Sequence, residues 1–294
     1  MANFSLQDAL GINYQNTSTR DKLQVVYKAI LKNLLSKADY LRLVNREYSD
    51  TPAKGGSVHI DRLAFATVRD YGTAFAAQTG DKPLNNGIDI LVNIDKEIVT
   101  EVPKKDAKLW RPGGEAEILA ANVENQTAAL QIFLDDAYFV ALQQAATTYD
   151  VSAVTDSDAV KQQVLRLLAL IRKLESVTGD NVNKIDRSLM ALTLSSEIYD
   201  SVELYMTTLN NPDGNSVRLL HGVEVSRALR QDVDAVVQVK GSMGMPMVLD
   251  RYEVTRPTYK NGLVQELYFS YGLGAVMPEC IYKAAISSDN SISI

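Results

Sequence analysis

The stretch SVHIDRLAFATVRDYGTAFAAQTGDKPLNNGIDILVNIDKEIVTEV, residues 57–102, decides how the chain reads. In its first part Val58, Ile60, Ala64, Ala66 and Val68 share one parity, while His59, Asp61, Thr67 and Arg69 fall on the other. That period of two is the mark of a half-buried strand, and Arg62 breaks it. In the last part Ile88, Ile90, Val92, Ile94, Ile98 and Val102 share a face, with Asp89, Asn93, Asp95, Glu97 and Glu101 opposite. Between the two, Gln78 to Gly87 is dense in Gly, Pro, Asn and Asp, which predicts an exposed tip. The pattern is that of a long two-stranded ribbon. An isolated hairpin is only marginally stable in water, so an arm with one apolar and one charged face needs a surface to lie on. A neighbouring subunit and the chain's own domain both meet that need.

Toward the C-terminus, residues 115–149 contain neither Gly nor Pro, and Leu119, Val123, Leu130, Leu134, Ala137 and Ala141 recur at helical spacings. Pro112-Gly113-Gly114 punctuates the start, and Glu115 and Glu117 place negative charge in the first turn, where the helix dipole favours it. An unbroken helix of this length is a rod of roughly 50 Å; a break at Asn122 to Gln126 is the alternative. Toward the N-terminus, Thr19-Arg20-Asp21 can cap a helix running to Tyr40, with Leu23, Val26, Tyr27, Ile30, Leu34 and Leu35 on one side. It reads equally as a swapped arm or as a helix on its own domain. Further on, Val160, Val164, Leu167, Leu168, Ile171 and Leu174 predict a helix within 156–177. A strand at Leu189 to Leu194 leads to a helix from Ser195-Ser196-Glu197 to about Leu209, and then a loop at 210–215. Strands follow at 223–226, 235–239, 248–254 and 263–276. The second half is mixed α+β with no internal repeat.

At 294 residues, 46% hydrophobic and 22% charged, the chain has the size and composition of two linked globular domains. No apolar run approaches the ~20 residues that span a bilayer. Met1 to Ser5 carries no basic region followed by an apolar one, so the protein is expected to be cytosolic where it is made. The lone Cys280 cannot form an internal disulfide, and its apolar neighbours predict burial. His59 and His221 lie in no recognisable motif and read as structural. A net charge of −6 and a pI near 5.1 argue against a basic stripe that grips nucleic acid. Phosphate-binding, dinucleotide, nucleophile-elbow and zinc-protease motifs are all missing from the sequence. Gly241-Ser242-Met243-Gly244 reads as a turn between strands, and Asp135 and Asp136 as solvent-facing charges. No catalytic, cofactor-binding or metal residue is expected, and no enzyme activity.

The order of these elements resembles the major capsid protein of tailed bacteriophages, the Hong Kong phage-type or Johnson fold. Local wording agrees: Leu194-Ser195-Ser196-Glu197-Ile198-Tyr199 is similar to the family's strand-then-helix step, and His221-Gly222-Val223-Glu224-Val225-Ser226 to its Gly-Val-x-Val strand. Asp250-Arg251-Tyr252-Glu253-Val254, Tyr268 to Gly272 and Val276 to Glu279 resemble its terminal strands. The resemblance implies an α+β chain with an N-terminal arm at 1–49 and an extended hairpin (E-loop) at 50–111. A peripheral domain with a spine helix follows at 112–154 and 250–294, and an inserted axial domain at 155–249.

It also implies a head protein that self-assembles, as pentamers and hexamers, into the icosahedral shell around phage DNA. Packaged DNA would be contacted non-specifically, with no membrane and no cofactor. The expected location is the virion, and the host cytoplasm during assembly. Many family members carry a long cleaved scaffolding segment, whereas only about fifty residues lie between Met1 and the hairpin, a short connection, so a separate scaffolding protein and a portal are the partners the resemblance implies. Lys54 and Lys82 lie where some members cross-link to an Asn, but no partner is identifiable and non-covalent assembly is favoured. The expected intersubunit contacts set Lys54, Arg62, Arg69 and Lys82 against Asp89, Asp95, Glu97 and Glu101, with burial from Ile90 and Ile94. Two alternatives stay open: an encapsulin-type compartment with a groove for a cargo peptide, and an α+β metabolic enzyme with a concave pocket.

Overall fold

The computed structural model describes residues 39–48, 51–62, 87–103, 115–179, 182–210, 216–228, 233–255 and 262–287. The helix expected from Thr19, the hairpin tip, the Pro112-Gly113-Gly114 punctuation, Arg69 and Lys82 lie outside the described residues.

The root of the ribbon forms as an antiparallel pair. Strand β1 (Ser57–Ile60) pairs antiparallel with β2 (Ile88–Leu91), Val58 opposite Ile90 and Ile60 opposite Ile88. The second strand does not continue to Val102 as one element. The turn at Ala53 to Gly56 takes up both backbone groups of Val92, whose N–H donates to Gly56 O (2.9 Å) and whose carbonyl accepts from Gly55 N (2.8 Å). Gly55 has φ +70°, a conformation glycine supplies without strain. The ladder ends there. The chain re-emerges as β3 (Ile94–Pro103) in a different, three-stranded sheet, beside β14 (Gly262–Tyr271), which also pairs with β13 (Met247–Thr255). The strand expected over 263–276 likewise stops at Tyr271, and Gly274–Ala275 (β15) pairs with Met243–Gly244 (β12).

A short turn of helix, α1 (Tyr40–Leu43), packs on the long α2 (Glu115–Ala145). Helix α2 runs unbroken for 31 residues, roughly 46 Å. At the expected weak point Gln126 Nε2 donates to Thr100 Oγ1 (3.0 Å) and Gln265 O (3.2 Å), and just beyond it Thr127 Oγ1 donates to Val123 O (2.7 Å), while the buried Asn122 Nδ2 makes no hydrogen bond among the described residues and the helix still does not break. Leu130, Leu134, Tyr138 and Leu142, each four residues on from the last, are all buried to 1% exposure or less.

Besides the short pair β5 (Thr178–Gly179) and β6 (Val182–Asn183), a seven-stranded sheet runs in the order β4 (Thr147–Thr148), β16 (Ile281–Ala284), β11 (Ala235–Val239), β7 (Met190–Leu194), β10 (Val223–Arg227), β9 (Ser216–Leu220), β8 (Thr207–Asn210). Its central strand β7 is buried at all five positions because both faces are covered. Ala191, Val236 and Ile281 join the core under α2. Met190, Leu192, Leu194, Ala235 and Val237 join the core under α3 (Ala159–Glu175), with its Val164, Leu167, Leu170, Ile171 and Leu174. Asp158 caps α3, accepting from Val160 N and Lys161 N. Strands β4 and β16 enter this sheet from either side of 155–249, so that segment shares its sheet with its neighbours. The helix expected to reach Leu209 stops early: α4 spans Ser196–Val202, a 3-10 turn covers Glu203–Tyr205, and Thr207-Thr208-Leu209 pairs with β9 instead. Two successive β-branched residues favour the extended form there.

Candidate intersubunit interface

Lys54, at the turn that leads into the ribbon, places Nζ 3.4 Å from Asp95 Oδ2 and 3.2 Å from Asp250 Oδ2. Ser270 Oγ lies 2.7 Å from Asp95 Oδ1 and 2.6 Å from Asp250 Oδ2 and shares its one proton between them. The Ser270 hydroxyl, aided by Lys54, holds the Asp95 carboxyl below its ordinary range, and the hydrogen bond to Asp250 raises Lys54. The expected Lys54–Asp95 pairing is therefore made inside one subunit, where it joins the turn to the three-stranded sheet.

Arg62 turns away from the hairpin acids and pairs with Glu279 of the 3-10 turn Pro278–Cys280. Asp89 meets His59: Asp89 Oδ1 lies 2.7 Å from Nδ1, and Asp61 Oδ1 lies 3.4 Å from Nε2. Ile90 is 2% exposed and belongs to the subunit's own interior, with Ile60 and Val276. Its side chain fills a cradle of glycines, since a Cβ on Gly244 would stand 2.4 Å from Ile90 Cδ1 and one on Gly274 2.9 Å from Ile90 Cγ1. Ile94 packs against the core under α2. Much of the apolar face of β2 and β3 is therefore covered by the subunit's own strands and helix, fully at Ile90 and partly at Ile94. Glu97 and Glu101 stand exposed on β3, opposite Tyr268 and Val264.

Other residues carry apolar surface outward. Leu204 is 94% exposed and Leu209 52%, both by the β8 edge of the sheet, and Tyr205 is exposed beside them. Ile132 and Val140 are exposed on α2. A helix through Leu209 would have buried some of the first group; only Met206 among residues 203–209 is buried. Asp135, expected to face solvent, is half-buried and accepts from Tyr40 N at 3.0 Å.

Cys280 is buried, which pushes its thiol up to about 12. His221 (φ 49°) and Gly222 (φ 89°) form the turn between β9 and β10, a structural role. An open depression of about 540 Å³ has Arg42, Arg46, Glu47 and Lys240 among its lining. Glu224 neutralises two of its cations, lying 3.3 Å from Arg42 Nη1 and 2.7 Å from Lys240 Nζ. Among the described residues no group of three His, Cys, Asp or Glu is arranged to hold a metal, and no helix is long and apolar enough to cross a membrane.

A short helical turn seated on the long α2, a ribbon root leading into a three-stranded sheet, and a seven-stranded sheet between two cores define an α+β fold. It is the Hong Kong phage-type capsid fold. A solved structure from Mycobacterium phage Che8 matches with TM-score 0.57 at 19% identity, over 85% of this chain and 92% of that one. The capsid structure of cyanophage P-SCSP1u matches with TM-score 0.55 at 12% identity, over 85% and 88%. The holo-SrpI encapsulin complex of Synechococcus elongatus PCC 7942 matches with TM-score 0.52 at 10% identity, over 84% and 86%. No family model matches the chain, and no curated protein does.

Proposed function

We propose that this chain is a major capsid protein, whose work is assembly into an icosahedral shell around phage DNA and not catalysis. The observation that carries the reading is a fold match to a phage capsid structure over 85% of the chain. In this reading 1–49 is the arm, 50–111 the extended hairpin, 112–154 with 250–294 the peripheral domain, and 155–249 the axial domain. Pentamers and hexamers form where axial segments meet. On the hairpin, Arg69 and Lys82 against Asp89, Glu97 and Glu101 set its register on a neighbour. Lys54, Asp95 and Arg62 instead hold the hairpin root to its own subunit. A separate scaffolding protein and a portal are the expected partners, DNA is touched without sequence preference, and the protein moves from host cytoplasm to virion.

The likeness to an encapsulin favours a second reading, a compartment that encloses enzymes. Expression of the chain alone, and with a scaffold-like neighbouring reading frame, followed by sedimentation and negative-stain imaging, tests both. Closed shells or rings of five and six are expected; a monomer or dimer under both conditions overturns the shell. Nucleic acid inside supports the first reading, and a captured enzyme the second.

A further inference from the structure

The junction between the arm segment and the spine helix contains a carboxylate that nothing in shell architecture by itself requires. Asp135 Oδ1 accepts the backbone N–H of Tyr40 (3.0 Å), the first residue of α1, and three residues further along α2 the Tyr138 ring lies tilted against that of Tyr40, their centroids 6.0 Å apart. Tyr40 and Leu43 are each 2% exposed, so α1 closes over the core and half-buries Asp135 as it does so. The two charges acting on Asp135 are both negative, Asp39 on the arm and Asp136 on the helix; Gln131 also hydrogen-bonds it. The nearby cations are engaged elsewhere: Arg42 with Asp39 and Glu224, Arg46 with the Leu41 carbonyl. Tyr48 stands close enough to Tyr40 for the two phenols to interact.

We propose that Asp135 is a proton-operated latch: uptake of one proton by its carboxyl group tightens the seating of residues 39–48 on the spine helix, and loss of that proton loosens it. The charged form is favoured by the hydrogen bonds from Tyr40 N–H and Gln131 but opposed by burial, the largest effect, and by Asp39 and Asp136; burial wins, and the opposition disappears when the carboxyl is neutral. A neutral carboxyl keeps a carbonyl oxygen for the Tyr40 N–H. Burial, first among the causes, raises the group from 3.8 to about 6 when the arm is seated. A lifted arm returns it to water. The seated form therefore binds the proton more tightly, and seating gains as pH falls through 6 toward 3.8 and is weakest above 6. The latch belongs to one subunit and does not depend on shell formation, although in a shell it would couple the arm to acidity.

Hydrogen exchange of the full chain, in whatever assembly state it adopts, reads the latch at the amides of Val44, Asn45 and Gly241. These donate to Tyr40 O, Met243 O and Leu43 O respectively. After correction for intrinsic rates, protection should rise about four-fold from pH 7.5 to pH 5.5. Asp135→Asn, isosteric and always neutral, should be flat across that range and as protected at pH 7.5 as the parent at pH 5.5. A flat parent profile overturns the latch with no variant needed, as does a pH response retained in Asp135→Asn. A flat profile in fully formed shells leaves the proposed function standing; a pH response in a chain that never assembles leaves only the latch.

Discussion

Ile90 lies against Gly244 and Gly274, while a Cβ on Gly272 would come within 2.3 Å of the Leu91 carbonyl oxygen. Backbone on one side and a branched side chain on the other leave no room for rotamer relief. Ile90→Ala should therefore cost about 2–5 kcal/mol, the range for a buried isoleucine truncated in a packed site. Gly272→Ala should cost comparably by forcing β2 off the β14–β15 corner. Denaturant titration checks both, and an unchanged midpoint would mean the ribbon root is not anchored there. Charging Ile90 cannot serve as an assembly test, because it breaks the subunit first. Cys280 gives a second check at this scale. Burial raises its thiol to about 12, so at pH 8 almost none is thiolate, and a disulfide reagent should label native protein only as fast as it unfolds. Rapid labelling would show the 3-10 turn to be open.

Elements were legible in sequence to the extent that they depend on neighbours a few residues away. The alternation from Ile88 to Ile98 was real: Ile90 and Val92 are buried and Ile94 and Ile98 partly so, while Asp89, Asn93, Asp95 and Glu97 are exposed. What alternation does not encode is the partner on either side, so a face continuous in sequence turned out to be divided between two sheets at Val92. The same limit hid the seven-stranded order, in which β16 lies beside β11 and β4. It hid Asp135 too, since the residue that half-buries it lies 95 positions away. Gln126, polar in the middle of an amphipathic pattern, suggested a break until its partners on β3 and β14 were known. The C-terminal segment shows a further long-range device. Arg166, 8% exposed, donates through Nε to Val154 O (3.1 Å) and through Nη1 to Ile286 O (2.9 Å) and Ser287 O (3.1 Å). From the other side Asp234 Oδ2 accepts from Ile286 N and Ser287 N, both at 2.7 Å. Arg166→Met keeps the apolar stem and strands the carbonyls, so it should cost on the order of 1–3 kcal/mol. Exchange at Ile286 and Ser287 should quicken while that in β7 shifts less; unchanged exchange at the two amides would show that Arg166 does not hold this end.

The whole molecule has one sheet serving two cores, the core under α2 through Ala191, Val236 and Ile281 and the core under α3 through Leu192, Ala235 and Val237. Loss of either core exposes a face of the same central strand, so the subunit's stability is concentrated at β7 and thins toward the β8 edge. There Thr207, Thr208 and Leu209 are all exposed, and Leu204 makes almost no use of the subunit that carries it. An exposed edge strand with uncovered leucines invites pairing, and no Lys or Pro in Thr207–Leu209 blocks it. If axial segments meet in rings, as the shell reading requires, a second copy of this chain covers that edge. Leu204→Asp with Leu209→Asp should then leave the subunit's melting point within the range of surface changes, about 0.5 kcal/mol per site, because neither side chain contributes to a core. Particle yield should fall sharply, since each ring would place several carboxylates where apolar contact is needed. Sedimentation of the double variant beside the parent, with melting curves on both, separates the cases. Normal particles would show that rings close through another surface, and a lowered melting point would show that the β8 edge belongs to the subunit's own stability rather than to its assembly.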